Sequence, residues 1–97
     1  MASEAVNGKI TADTITVKWD VKGGADRTEH PEIGENRVLA GTPNIQGITI
    51  TSDVDVTVHC WADASASGEP TESIDGPTNG KEKLNPTRIG SYRVDLR

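Results

Sequence analysis

Between Gly47 and Asp63 the apolar side chains fall on every second position. Ile48, Ile50, Val54, Val56, Val58 and Cys60 are even-numbered, whereas Thr49, Thr51, Asp53, Asp55, Thr57, His59 and Trp61 are odd-numbered. Successive side chains leave a strand on opposite sides, so a period of two predicts a pleated strand with one dry and one wet face. Left unbroken from 48 to 60, such a strand would run to about 43 Å at roughly 3.3 Å per residue, well past the usual length. Ser52-Asp53 is therefore expected to be a bend or corner at which the chain crosses between sheets. The unchanged parity on either side favours a bend over a tight hairpin.

The same alternation recurs from Asp13 to Val21, with Ile15, Val17, Trp19 and Val21 opposed to Thr14, Thr16, Lys18 and Asp20. Lys22-Gly23-Gly24-Ala25-Asp26 then supplies a turn. Arg27 to Gly34 is polar and contains His30-Pro31, and it reads as a loop. Arg37 to Ala40 reads as a short strand and Gly41-Thr42-Pro43-Asn44 as a turn. The closing strand spans Ile89 to Leu96, where Tyr92, Val94 and Leu96 alternate with Ser91, Arg93 and Asp95. Residues 1–12 carry Val6 and Ile10 around Gly8, which suggests an edge strand or an N-terminal arm that docks on a neighbour. Residues 64–86 hold three prolines, three glycines and only Ile74 and Leu84 as large apolar groups, so they read as one long projecting loop.

No stretch offers an amphipathic helix of three turns. Residues 1–97 are thus expected to form one all-β domain, an antiparallel β-sandwich or small barrel of jelly-roll or immunoglobulin-like type, with about six strands and one long loop.

Composition adds that the core is thin. Phe is absent, the aromatics are Trp19, Trp61 and Tyr92, and Ile, Leu and Val together make up about a fifth of the 97 residues. Such a chain is expected to draw part of its stability from neighbouring subunits. The net charge of −5 and the scattering of single basic residues speak against a nucleic-acid or anionic-membrane surface. A single cysteine excludes an internal disulfide framework and a multi-cysteine zinc site, which points to a reducing compartment or a non-covalent assembly. No apolar run reaches the length of a membrane span, and the first ten residues lack a signal-peptide apolar core.

For chemistry, the wet face of the principal strand lines up Asp53, Asp55, Thr57, His59, Trp61 and Asp63. Neighbours on one face of a strand stand about 6.6 Å apart, too far for a shared metal or acid–base site without a second strand, so the row reads as a solvated face. His59 and Cys60 are adjacent and point to opposite faces, and Cys60 belongs to the core. There is no phosphate-binding glycine loop, no Gly-x-Ser-x-Gly elbow and no His-Glu-x-x-His. No catalytic, cofactor-binding or metal-binding residue is expected, and no enzyme activity. Trp61 lies on the polar face by parity, where it is either an interface anchor or, if the strand stops at Cys60, a lid folded on the core edge. Candidate partner-binding residues are Trp61, Ile74, Leu84, Val6 and Ile10.

A rigid β-domain with arms, no disulfides and an acidic exterior implies a structural assembly protein. Its character is similar in kind to small β-rich components of bacteriophage particles, in particular capsid decoration or cement proteins that stabilise a capsid surface. The expected partners are copies of itself, as a trimer, and a capsid or other scaffold protein, and the expected location is the virion, assembled in the host cytoplasm. A secreted fimbrial or immunoglobulin-like adhesion module at the cell surface is the alternative. A small acidic inhibitor using Asp53, Asp55 and Asp63 is the second.

Overall fold

The computed structural model describes residues 15–97. They form eight strands: β1 (Ile15–Val21), β2 (Arg27–Glu29), β3 (Asn36–Val38), β4 (Asn44–Ser52), β5 (Val56–Trp61), β6 (Glu72–Gly76), β7 (Glu82–Arg88) and β8 (Ser91–Leu96). A front sheet in the order β2-β1-β4-β7 packs on a back sheet in the order β3-β8-β5-β6, and all pairings between these strands are antiparallel. The chain is therefore an all-β sandwich, with eight strands among the described residues where about six were expected. Among those residues no helix is long and apolar enough to cross a membrane.

Parity decides which side chains fill the space between the sheets. Ile15, Val17 and Trp19 of β1 face Ile48 and Ile50 of β4 in register, and all five are fully buried. The back sheet answers with Val56, Val58 and Cys60 of β5 beside Tyr92 and Val94 of β8, also fully buried. Each burial of a large apolar side chain contributes roughly 1.5–3 kcal/mol. Among the described residues the large apolar side chains left exposed are Val38 and Leu96. Trp19 meets Tyr92 edge-on, with ring centroids 5.0 Å apart at 66°. The Tyr92 hydroxyl crosses the sandwich to donate to Glu29 Oε1 at 2.6 Å, and Arg37 lies 3.7 Å from the same oxygen. That trio ties the β2 edge of the front sheet to the β3 edge of the back sheet.

The corner expected at Ser52-Asp53 is present, since β4 ends in the front sheet and β5 begins in the back sheet. Ser52 shapes it by donating its hydroxyl to the Val54 carbonyl at 2.7 Å and accepting from the Val54 N–H at 3.1 Å. The returning chain turns the same corner. β6 pairs with β5, β7 pairs with β4, and the two segments form one long antiparallel ribbon folded across the sandwich. At the fold Thr78 N donates to the Ile50 carbonyl at 2.9 Å, and Ile50 N donates to Thr78 Oγ1 at 3.0 Å. Arg97 closes the corner from outside, donating to the carbonyls of Val56 at 3.1 Å and Gly76 at 2.8 Å.

Two readings of the sequence are corrected. Residues 64–86 are not one long projecting loop, because 72–76 form β6 and 82–86 form most of β7. Among the described residues both are edge strands, which need few apolar residues and tolerate proline. Pro86 sits where Leu84, Asn85 and Pro86 bulge outward opposite the single residue Gln46. Residues 27–34 likewise begin with the short strand β2, which pairs with β1 before Pro31 ends it. The proposed arm at 1–12, with Val6 and Ile10, lies outside the described residues.

Candidate interaction faces

The outer face of the front sheet is built from the polar positions of β1, β4 and β7. Lys81, just ahead of β7, lays its stem over Gly47 and brings its ammonium within 2.7 Å of Asp20 Oδ2. Gly47 makes this crossing possible: a Cβ there would stand 3.0 Å from Lys81 Cδ and 3.3 Å from the Glu82 carbonyl oxygen. Gln46 Nε2 donates to the other Asp20 oxygen at 3.2 Å. The hydrogen bond from Lys81, helped by Gln46, holds the Asp20 carboxyl below its ordinary range, and the same bond raises Lys81. This pair is the common wall of two adjoining clefts. The larger, about 440 Å³, runs from Asp20 and Gln46 to Lys83 and the bulge at Leu84, Asn85 and Pro86. The smaller, about 260 Å³, lies between Lys18, Asp26 and Thr49.

Charge is unequally shared between the sheets. All four lysines among the described residues, Lys18, Lys22, Lys81 and Lys83, belong to the front sheet or its immediate flanks. With Arg88 they give that side five cations against the carboxylates of Asp20, Asp26 and Glu82 among the described residues. Arg27 and Glu29, which pair with the inward-facing Trp19 and Val17, sit at the seam. Among the described residues the back strands, the loops joining them and the linkers from the front sheet hold three cations, Arg37, Arg93 and Arg97, against nine carboxylates, of which Asp75 and Asp95 stand on the outward face of the back sheet, each beside an arginine. The sequence hides this division, because the basic residues are scattered singly along the chain and only the fold of β1 against the 81–88 segment gathers them.

On the back sheet the polar groups are fastened to one another. Arg93 Nε donates to both oxygens of Asp95, at 3.0 and 2.9 Å, and its guanidinium lies 5.5 Å from the centre of the Trp61 ring. His59 Nε2 is 3.3 Å from Asp95 Oδ2, and His59 Nδ1 is 3.0 Å from Ser73 Oγ. Two residues along the same pair of strands, Thr57 donates to Asp75 at 2.9 Å. Ser73, His59 and Asp95 therefore stand in a line across three strands, in the residue order of a nucleophile, base and orienter. The line lies on the outward face of a sheet, and Arg93 already holds both Asp95 oxygens, so its carboxylate answers a guanidinium rather than an imidazole alone. It serves as a cross-strand brace, each pair of which contributes roughly 0.2–1 kcal/mol. The sequence reading missed it because Ser73 fell in the stretch taken for a loop. Only the pairing of β5 with both neighbours brings the three together.

The candidate partner-binding residues fare differently. Trp61 is 5% exposed, and its Nε1 donates to the Gly68 carbonyl at 3.1 Å. The loop after β5 folds over it, with Ser91 Oγ donating to the Asp63 carbonyl at 2.7 Å and Gly90 too close to the Asp63 backbone to admit a Cβ. Neither reading left open is the one observed: the strand runs on through Trp61, whose ring stays on the outward face beside Arg93 and is covered there by the loop, so Trp61 is neither an exposed anchor nor a lid on the core edge. Ile74 is also 5% exposed, pairing with Val58 inside the sandwich, so it is a core residue rather than a contact for a partner. Leu84 is half-buried against the core and lines the larger cleft, which leaves it at the surface. Val6 and Ile10 lie outside the described residues.

The wet-face carboxylates do not converge. Asp63 turns to Ser65, accepting from its N–H at 3.0 Å and its hydroxyl at 2.7 Å, and these bonds, the hydroxyl first, hold its carboxyl low. Asp55 lies 3.8 Å from Arg97. Among the described residues no group of three His, Cys, Asp or Glu side chains is arranged to hold a metal ion. Cys60 is buried, and its thiol is pushed up to about 12 by burial and then by the Glu72 charge. A thiol so raised is a poor nucleophile at neutral pH. Comparison with family models, curated proteins and solved structures finds no match to this chain.

Proposed function

We propose that the chain is a structural assembly protein that docks on a protein scaffold through its charged front face, in the manner of a capsid decoration protein of a bacteriophage virion. One observation carries this reading: the front sheet and its flanks gather Lys18, Lys22, Lys81 and Lys83 beside two adjoining clefts, in a chain whose net charge is −5. A local potential of one sign steers encounter with a complementary surface and fixes orientation between rigid partners. The β7 edge is a poor docking place by comparison, since it is broken by its bulge and Pro86. A domain that closes its own core and keeps its faces polar is suited to binding reversibly as a preformed unit. The fitting location is the assembled particle.

Co-sedimentation with the assembled capsid of the genome that encodes the chain tests the proposal. Saturable binding that weakens as salt is raised supports it. Absence of the chain from the pellet at low salt overturns it.

A further inference from the structure

Register brings three lysines to one spot on the front face. Asp20, Gly47 and Lys83 form an outward row across β1, β4 and β7, and Lys18 and Thr49 form the next row across β1 and β4. Strands stand about 4.8 Å apart and same-face neighbours on one strand about 6.6 Å, so the Cα atoms of these positions fit within about 12 Å. Gly47 has no side chain, and the stem of Lys81 fills the space above it. Lys18 and Lys81 line the smaller cleft, Lys81 and Lys83 line the larger, and Asp20 lines both. We infer that the two clefts receive an extended acidic segment of a protein partner, one of whose carboxylates competes with Asp20 for Lys81. The inference rests on the assembly reading and names the chemistry of the partner at its front face.

The walls of the clefts suit a peptide better than another polyanion. Thr49 in the smaller cleft and Gln46 and Asn85 in the larger add a hydroxyl and two amides, which donate to and accept from peptide groups. Leu84, half-buried against the core in the larger cleft, offers an apolar contact to a side chain between the carboxylates. A single strand of nucleic acid is held by bases stacked on aromatic rings. Trp19, Trp61 and Tyr92 are all buried, and none lines either cleft. Asp20 and Asp26 also leave the lysines only a small positive surplus, enough for a few carboxylates and too little for a phosphate backbone.

Asp20 gives the site a signature of its own. Its Oδ2 lies 2.7 Å from Lys81 Nζ, in the wall that the two clefts share. An ammonium has three donors, and the Lys81 side chain is half-exposed, so a carboxylate arriving in either cleft meets an ammonium that Asp20 already shares. D20N removes the competing charge and keeps an oxygen for Gln46 and Lys81, so it should tighten binding. Loss of a lysine charge should weaken it. A merely structural Asp20–Lys81 pair would not move affinity in opposite directions from its two ends.

The probe is a short dye-labelled oligoglutamate with one central leucine, followed by fluorescence anisotropy with the full chain, each variant first shown to keep the wild-type circular dichroism spectrum. The wild type should bind it saturably at low salt and release it as salt is raised. K81M and K83M should each weaken binding about two- to fivefold, and D20N should tighten it by a similar factor, the range of one exposed ion pair. No binding at low salt overturns the inference. So do lysine variants that bind as well as the wild type, or a D20N chain that binds no tighter. A single-stranded oligothymidylate or a phosphatidylserine vesicle bound more tightly than the peptide overturns the peptide assignment. Capsid pelleting separates this inference from the reading beneath it. A K81M/K83M chain that pellets like the wild type overturns docking through the clefts and leaves the assembly reading intact. A wild-type chain that binds the peptide and does not pellet supports the acidic-peptide site and overturns docking on the capsid.

Discussion

Gly76 is the position at which the folded ribbon is most tightly made. It ends β6 in the back sheet and lies against Ile50 of the front sheet, so close that an added Cβ would stand 2.6 Å from Ile50 Cγ2 and 2.9 Å from Ile50 Cβ. Carbon atoms in good contact are about 3.5–4.0 Å apart, so G76A asks the two segments to separate by roughly an ångström. They are held from both sides, by the Thr78 bonds to the Ile50 backbone and by Arg97 on the Gly76 carbonyl. Overpacking of this kind costs about 2–3 kcal/mol. I50A empties a fully buried site and on its own should cost about 3 kcal/mol. Combined, the two should be less harmful than their sum by about 1 kcal/mol, because I50A removes the Cγ2 atom that the new methyl strikes while leaving Cβ in place. Urea denaturation of the four proteins measures the cycle. For a domain of this size the G76A loss corresponds to a fall in melting temperature of about 10–20 °C. Additivity within about 0.5 kcal/mol would refute the close approach, and with it the folding of one ribbon across both sheets.

Three further outcomes follow from individual side chains. In K81M the Asp20 carboxyl should rise back toward its ordinary range, as followed by NMR titration; because its folded value is lowered by Lys81, the stability it supplies is present above the ordinary carboxylate range and fades as pH falls through the lowered value, so the variant's stability should fall less in acid. Y92F removes the 2.6 Å bond to Glu29, and with it about 1.5–3 kcal/mol of unfolding free energy in urea; in the wild type, burial and the Glu29 bond should keep the phenol from ionising in its usual range in an ultraviolet titration of the folded chain. Cys60 should resist a thiol-specific disulfide reagent at neutral pH until denaturant is added, and fast labelling of the native protein would contradict its burial.

The strands with a regular period of two were legible because a half-buried strand writes its two faces directly into the sequence. β1, the β4–β5 stretch and β8 were all placed this way, and the corner at Ser52-Asp53 followed from a length argument alone. β2, β6 and β7 escaped for one physical reason: an edge strand is held on one side only, so it needs little apolar content and accepts Pro86, Gly76 and the bulge opposite Gln46. Trp61 was ambiguous for another, since parity gives the face of a side chain but not whether a later loop covers that face. The lysine cluster of the front face was invisible because it is assembled from residues as far apart as Lys18 and Lys83. Their proximity depends on which strands are neighbours, and alternation does not specify order.

The two faces also differ in the kind of cation they use. The back sheet employs arginine, and each guanidinium there is committed: Arg37 to Glu29 and Glu35, Arg93 to Asp95 and the Trp61 ring, Arg97 to the carbonyls at the corner. A planar fork suits fixed, multiple bonds, and these hold the edges and corner of the sandwich. The front strands spend their two arginines in the same way, Arg27 on the Ala40 carbonyl and Arg88 on that of Thr42, and place lysine, a compact charge on a flexible stem, on the outer side. Arginine was expended on architecture and lysine kept at the surface. Since the large apolar side chains of the described residues are buried by the chain itself, apart from Val38 and Leu96, the docking proposed at the front face would draw its strength from charge. An assembly built on such contacts comes apart when salt is raised while its subunits stay folded, and one built to complete a deficient core would lose both together.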